Sequence, residues 1–193
     1  MQGGFTDTMT DYLRIYNEVF SNKNYNAHLW TEPRFLFVIR ALKRTPVSSL
    51  IDIGAGHGVL LAMVHRQNIR TALTAVDLNN YHHLKYVAHV NADITKAEDR
   101  GRIMGRYDIL TCLDCLEHME EYLSNIFNMF LSLSNTFIFS IANHSDIIDG
   151  IELHKIQKPY TYWTEKLSEF FDITFFEVLY DGRLYLYKCR RKT

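Results

Sequence analysis

The sequence predicts an α/β protein with a mostly parallel β-sheet and helices on both faces. Two observations carry this prediction. Strand-like apolar runs alternate with helical patterns between residues 48 and 141, and such alternation is typical of a parallel sheet. Two further strand-like runs, at 173–180 and 183–189, meet at Asp181-Gly182. Because Asp-Gly between β-rich runs favours a hairpin turn, we expect an antiparallel hairpin to complete the sheet.

Composition indicates one cytoplasmic domain. With 193 residues, of which 47% are apolar, the chain can bury one core, and we expect a single domain over 1–193. The net charge of −1 provides no global basic field for a nucleic acid. Three cysteines are an odd number, which argues against a disulfide framework. We expect no membrane span and no secretory signal, because no long apolar run and no basic start followed by an apolar stretch occur.

Residues 1–46 predict a helical cover for one face of the sheet. Residues 8–21 carry apolar side chains at helical spacing, and residues 22–30 suit a loop rich in Asn and Tyr. A second helix is expected to begin at Thr31 as its N-cap, with Pro33 in its first turn, and to end at Thr45-Pro46. Alternatively, the loop from Tyr25 to Trp30 forms a lid over a ligand.

The core and the last third of the chain supply the remaining elements. Strands are predicted at 48–53, 72–77, 86–90, 107–113 and 137–141, and helices at 58–67 and 122–133. A last helix follows Pro159, with apolar positions at Trp163, Leu167, Phe170 and Phe171.

A glycine turn follows the first strand. Its sequence, Asp52-Ile53-Gly54-Ala55-Gly56-His57-Gly58, has the spacing G-x-G-x-G, whereas the dinucleotide fingerprint is G-x-G-x-x-G. Glycines allow the backbone to approach a ligand closely, and the next helix presents free N–H groups there. This turn therefore predicts a nucleotide-like ligand, but its spacing does not distinguish one nucleotide-like ligand from another.

Carboxylates at successive strand ends narrow the choice of ligand. Asp77 lies 19 residues beyond Gly58, near the distance at which an acidic residue meets ribose hydroxyls. Asp93 suits an exocyclic amine, with Ile94 packing on adenine, and Asp52 suits the glycine loop or an ammonium group. So many carboxylates would serve a pyrophosphate poorly. A ribose, an adenine and a cationic amino-acid part fit better, and S-adenosylmethionine combines all three.

The sequence resembles the class I S-adenosylmethionine-dependent methyltransferases. The matching stretches are Leu50 to Gly58, Ala75-Val76-Asp77, Asn91-Ala92-Asp93-Ile94, Tyr107 to Leu110 and Leu113 to His118. The resemblance implies a Rossmann-like, seven-stranded sheet, a cofactor core over 48–141 and an acceptor side over 142–193. It also implies that S-adenosylhomocysteine is the product and that the cofactor contacts are Asp52, Gly54, Ala55, Gly56, Gly58, Asp77, Leu78, Asp93, Ile94, Leu113 and Asp114.

Two histidines are the candidates for chemistry on the acceptor. A hydroxyl acceptor must lose its proton, and residues beyond the fourth and fifth strands are placed to take it. Asp114 to His118 resembles the Glu-x-x-Glu-His signature of ubiquinone-pathway and small-RNA 2′-O-methyltransferases, which makes Glu117 and His118 catalytic candidates. Residues 154–163 resemble the His-x4-Pro-x-x-(Tyr/Trp)-Trp segment of small, glycan-modifying methyltransferases, which adds His154.

The same acidic residues and histidines are also candidate ligands of a divalent metal ion. In the families with that signature, the cluster and a later histidine, here His144 or His154, can hold a divalent ion. We expect no metal here; the set that would hold one is Asp114, Glu117, His118 and His154. The alternative interpretation is that Glu117-His118 merely begins the next helix.

The prediction is therefore a methyltransferase that acts on a small-molecule or glycan acceptor, at a hydroxyl. One rival is a nucleic-acid (2′-O-type) or protein methyltransferase, which the near-neutral charge and the absence of an Asn/Asp-Pro-Pro-Tyr motif disfavour. Another rival is a non-catalytic module that binds S-adenosylmethionine. Cys112 and Cys115 have C-x-x-C spacing, but Cys112 falls in a predicted buried strand, so we expect both thiols to serve packing.

Overall fold

The computed structural model describes residues 32–148 and 150–193, together with Arg14, Asn17 and Glu18, which are helical. The rest of the predicted helix at 8–21, the loop at 22–30 and Thr31 lie outside the described residues. The helices are α1 (Pro33–Arg44), α2 (Val59–Arg66), α3 (Ala97–Arg100), α4 (Leu123–Leu133) and α5 (Tyr160–Phe170). The strands are β1 (Ser49–Ile53), β2 (Ala72–Asp77), β3 (Ala88–Asn91), β4 (Ile109–Leu113), β5 (Thr136–Ala142), β6 (Ile147–Ile148), β7 (Ile151–Glu152), β8 (Phe171–Leu179) and β9 (Leu184–Arg191).

The main sheet has seven strands in the order β3-β2-β1-β4-β5-β9-β8. Strands β1 to β5 pair in parallel, whereas β9 runs antiparallel to both β5 and β8. The strand order reverses between β1 and β4, and ligands of such sheets bind beyond the carboxyl ends at this point. The predicted mostly parallel sheet with a closing antiparallel hairpin is confirmed.

Both faces of the sheet are buried, as parallel strands require. In β1, Leu50 packs with α1 and α2, whereas Ile51 and Ile53 pack with α4 and α5 on the other face. This division follows from the alternation of side chains along a strand. Trp163 is completely buried on the α5 side, so its indole belongs to the core.

Element boundaries differ from the prediction by one or two residues in several places. The third strand begins at Ala88 instead of residue 86, and the fourth begins at Ile109 because Tyr107 makes only an isolated bridge with Ser134. Phe171, predicted on the last helix, is the first residue of β8. Glu32, not Thr31, is the N-cap residue of α1, and Pro33 lies in its first turn as expected.

Several short elements were not predicted. A two-stranded hairpin, β6–β7, follows β5, and two 3₁₀ turns, Leu116–His118 and Glu120–Tyr122, connect β4 with α4. Such short segments carry too few residues for a periodic signal. The last hairpin turns through Tyr180–Gly182, where Tyr180 and Asp181 as well as Gly182 have positive φ. In the described residues, no helix is long and apolar enough to cross a membrane.

Candidate active site

The glycine turn connects β1 with α2 at the carboxyl edge of the sheet. Gly54, Gly56 and Gly58 have φ values of +72°, +51° and +67°, a left-handed backbone that suits glycine because it has no Cβ. The amide of Gly54 donates to the carbonyl of Val76 at 2.8 Å. The turn is thereby fastened to the neighbouring strand, β2.

At two of these glycines, another side chain of the protein packs against the position that a Cβ would occupy. A Cβ on Gly54 would lie 2.6 Å from Sγ of Cys115, and a Cβ on Gly58 would lie 2.7 Å from Cβ of His82. Neither distance is tolerable for non-bonded heavy atoms. The sequence interpretation assigned both glycines to ligand approach, and it missed these two packing partners.

Asp77, at the end of β2, holds the glycine turn. One carboxylate oxygen accepts from the amide of Gly56 and the other from the amide of Leu78, both at 2.7 Å. Burial raises the pKa of Asp77 to about 6, against the lowering effect of these two hydrogen bonds. Each carboxylate oxygen has a second lone pair, so the same side chain retains capacity for two ribose hydroxyls.

Asp52 lies within β1 rather than in the turn, and it is buried. Its Oδ1 accepts from the hydroxyl of Thr111 on β4 at 2.7 Å. Burial raises the pKa of Asp52 to about 7, and the nearby Asp77 adds to the rise, whereas Thr111 opposes it. A cationic group beside Asp52 would favour its ionised form. Sequence reasoning missed Thr111, because a threonine inside a strand carries no signal of its own.

The predicted adenine residues follow β3. Oδ1 of Asp93 accepts from both the amide and the hydroxyl of Thr95, at 3.0 and 2.6 Å, and Lys96 Nζ lies 3.5 Å from Oδ2. Ile94 is only 4% exposed. These contacts shape the loop, and contacts of Asp93 and Ile94 with adenine stay a prediction.

Asp114 follows β4, where its oxygens are occupied by neighbours. The hydroxyl of Ser140 donates to Oδ1 at 2.5 Å, and Nε of Arg34 lies 3.0 Å from Oδ2. Arg34 in turn donates to Glu32, which also accepts from the hydroxyl of Tyr180. The sequence interpretation placed no cation at this edge. It missed Arg34, since 80 residues separate this arginine from the carboxylate that it contacts.

Three predicted acceptor-side residues lie together next to this edge. One ligand atom each of Glu117, His118 and His154 lies within 4.8 Å of the others. Asp114 is not part of this group within the described residues. Glu117 is completely buried, and its Oε1 accepts from the amide of Ala142 at 3.0 Å. Burial, and then the nearby Asp114, raise the pKa of Glu117 well above its usual range.

Backbone carbonyls determine which nitrogen of each histidine carries a hydrogen. Nδ1 of His118 lies 2.8 Å from the carbonyl oxygen of Leu153, and Nδ1 of His154 lies 2.6 Å from that of His144. A carbonyl can only accept, so each Nδ1 carries the hydrogen and each neutral ring keeps its lone pair on Nε2. Burial and the neighbouring His154 lower the pKa of His118 to about 4, which keeps that ring neutral at pH 7.

The Nε2 atom of His154 points between two acids. It lies 4.0 Å from Oε1 of Glu117 and 4.0 Å from Oδ2 of Asp146. The rings of His118 and His154 meet edge to face, with their centroids 4.8 Å apart. This His-Glu cluster, formed by Glu117, His118 and His154, therefore places two imidazole rings beside a buried carboxyl group.

The fold and this edge of the sheet define a class I S-adenosylmethionine-dependent methyltransferase. The family model described as a methyltransferase domain matches residues 25–180, and the chain belongs to that family. S-adenosylmethionine is the cofactor. No curated protein sequence matches the chain.

Solved structures of methyltransferases share the fold. The 1,6-didemethyltoxoflavin-N1-methyltransferase of Burkholderia thailandensis, bound to 1,6-didemethyltoxoflavin and S-adenosylhomocysteine, is 16% identical, with a TM-score of 0.67 over 100% of this chain and 94% of that one. Human N-acetylserotonin methyltransferase, in complex with S-adenosylmethionine, is 13% identical, with a TM-score of 0.71 over 99% and 61%. The small-RNA methyltransferase HEN1 is 18% identical, with a TM-score of 0.67 over 84% and 25%. Because these proteins differ in the acceptors they are named for, the type of acceptor does not follow from the fold.

Proposed function

We propose that the protein transfers the methyl group of S-adenosylmethionine to a hydroxyl of a small-molecule or glycan acceptor. The observation that carries the proposal is the His-Glu cluster, in which His118 and His154 both keep an Nε2 lone pair next to a buried carboxyl group. An amine acceptor has its own lone pair, whereas a hydroxyl needs a base to take its proton. An imidazole whose Nδ1 carries the hydrogen and whose Nε2 keeps its lone pair suits that task.

In the proposed site, the cofactor lies along the carboxyl ends of β1, β2 and β4. Asp77 accepts from the ribose hydroxyls, and Asp93 with Ile94 holds the adenine. The methionine part lies over Gly54 to Gly58, with Leu113 and Asp114 closing the site. Support for this placement comes from the lone pairs that Asp77 retains after binding Gly56 and Leu78.

The proposed reaction needs only one proton acceptor from the protein. When bound, S-adenosylmethionine would supply the methyl group: the acceptor oxygen would bond to the methyl carbon as the bond from that carbon to the sulfonium sulfur breaks, and the neutral thioether S-adenosylhomocysteine would leave. The hydroxyl proton moves to Nε2 of His154. Glu117 lies 4.0 Å from that nitrogen, and its carboxylate, when ionised, stabilises the resulting imidazolium. In-line alignment of the acceptor with the methyl group supplies much of the acceleration.

A divalent metal is the second way in which the same residues would activate a hydroxyl. Glu117 Oε2 is buried and has no hydrogen-bond partner among the described residues, and both Nδ1 atoms donate to carbonyls, as is usual for metal-bound histidines. Two ligands of one ion at ~2.1 Å lie at most ~4.2 Å apart, so a cluster within 4.8 Å needs only a small closure. A bound ion would lower the pKa of the acceptor hydroxyl.

The acceptor test measures S-adenosylhomocysteine release with a panel of phenols, sugars and oligosaccharides, matched amines and short RNA. We expect turnover with a hydroxyl compound and a loss of about 100-fold in kcat for His154→Gln, the size typical of a general base. A matched control is His83→Gln, because His83 lies on the loop between β2 and β3. Turnover with amines alone, or with RNA alone, would overturn the proposal. Activity that disappears in excess chelator and returns with added Mg²⁺ or Mn²⁺ would favour the metal.

A further inference from the structure

Glu152, on the short strand β7, connects three parts of the segment that carries His154. Its Oε1 accepts from the backbone amides of Asp146 and His154, both at 2.9 Å, and its Oε2 accepts from the hydroxyl of Ser145 at 2.5 Å. A single carboxylate therefore joins residues 145 and 146, which precede the β6–β7 hairpin, to residue 154, which follows it.

The two carbonyls that determine the histidine tautomers belong to the same region, the neck of the β6–β7 hairpin, which is formed by residues 144–146 before the hairpin and 153–154 after it. The amide of Leu153 donates to the carbonyl of Asp146 at 2.9 Å, which closes the neck next to Glu152. The carbonyl of Leu153 accepts from Nδ1 of His118, and that of His144 accepts from Nδ1 of His154. Both carbonyls thus lie within one residue of a group that Glu152 binds.

We propose that Glu152 is a positioning residue, whose carboxylate orients the carbonyls of His144 and Leu153 and thereby keeps both Nε2 lone pairs in the His-Glu cluster. This inference rests on the proposed function, in which the Nε2 lone pair of His154 takes the acceptor proton. In this role Glu152 acts through the histidines and not on the reacting atoms.

The ionised form of Glu152 suits this role. Its hydrogen bonds, first to Ser145 and then to the amide of Asp146, lower the pKa of Glu152 to about 2. A glutamate carboxylate is ionised at neutral pH, and charge-assisted hydrogen bonds are stronger than neutral ones. On the far side of His154, the amide of Ile156 donates to the carbonyl of Glu117 at 2.9 Å, which joins the segment to the third member of the cluster.

The test compares Glu152→Ala with Glu152→Gln in the full-length protein. Alanine removes the hydrogen bonds to Ser145, Asp146 and His154, whereas the glutamine carbonyl can still accept both backbone amides. Glu177→Ala is the matched control, because Glu177 is an exposed glutamate on β8. Affinity for S-adenosylhomocysteine and the melting temperature report whether each variant is folded.

The decisive readout is the ¹⁵N NMR spectrum of the histidine side chains, assigned with His118→Gln and His154→Gln. We expect unprotonated Nε2 in wild type, Glu152→Gln and Glu177→Ala, and a shift of His118 or His154 toward protonated Nε2 in Glu152→Ala. We also expect kcat of the folded Glu152→Ala variant to fall about 10- to 100-fold, the range for a misplaced catalytic group. Unchanged tautomers in the folded Glu152→Ala variant would overturn the inference, whereas full activity of His154→Gln would instead overturn the proposed function.

Discussion

Replacement of Gly54 by alanine tests the packing of the glycine turn directly. The new Cβ would lie 2.6 Å from Sγ and 3.0 Å from Cβ of Cys115, on a backbone with φ of +72°. The left-handed backbone costs about 1–2 kcal/mol, and overpacking of a tight contact costs about 1–3 kcal/mol more. We therefore expect Gly54→Ala to lower the free energy of unfolding by about 2–5 kcal/mol.

Gly182 provides the control that separates these two effects. Its φ is +87°, and apart from its two chain neighbours no described residue has an atom within 4 Å of a Cβ built on it, so Gly182→Ala should cost only the backbone part, about 1–2 kcal/mol. Urea unfolding of both variants measures the difference. A double variant with Cys115→Ala should recover part of the loss at Gly54, since residues in contact are not additive. Equal losses for the two glycine variants would refute the packing explanation.

Two further predictions concern the carboxylates of Asp77 and Asp52. Asp77→Asn should weaken S-adenosylhomocysteine binding about 10- to 100-fold, because a hydrogen bond to a charged group contributes about 1.5–3 kcal/mol; titration calorimetry measures this, and a change below about threefold in a folded variant would contradict the ribose assignment. The folded pKa of Asp52, about 7, lies above its ordinary value of 3.8, so the folded state binds the extra proton and this group's contribution to stability falls as pH rises through about 4 to 7. Relative to Asp52→Asn, which removes the titration, wild type should therefore lose about 2–3 kcal/mol of stability between pH 5 and 8. Urea unfolding of both proteins at several pH values measures this loss. A difference in unfolding free energy that stays constant from pH 5 to 8 would be incompatible with a buried, titrating Asp52.

The fold was largely predictable because its signals are local. Apolar periodicity marks each long strand and helix, and Asp181-Gly182 marks the closing hairpin, so neither needs knowledge of distant contacts. The carboxylates at strand ends were also within reach of sequence reasoning, since parallel strands bring their carboxyl ends to one edge.

The parts of the site that escaped prediction depend on distant contacts. Arg34 forms an ion pair with Asp114, and Thr111 donates a hydrogen bond to Asp52. Glu152 accepts from the amide of Asp146 across the base of the β6–β7 hairpin. None of these residues stands in a recognisable spacing with its partner. The sequence interpretation named His118 and His154 as candidates, but the carbonyls that determine their tautomers are backbone groups, which carry no sequence signal.

A crystal structure of the protein with bound S-adenosylhomocysteine is the most direct test of the proposed site. We predict that the ribose hydroxyls bind Asp77 and that the sulfur faces Nε2 of His154. Between the sulfur and this nitrogen, we expect open space for an acceptor. A sulfur atom that faces away from Glu117, His118 and His154, with the acceptor channel on another side of the sheet, would contradict the proposed role of the His-Glu cluster.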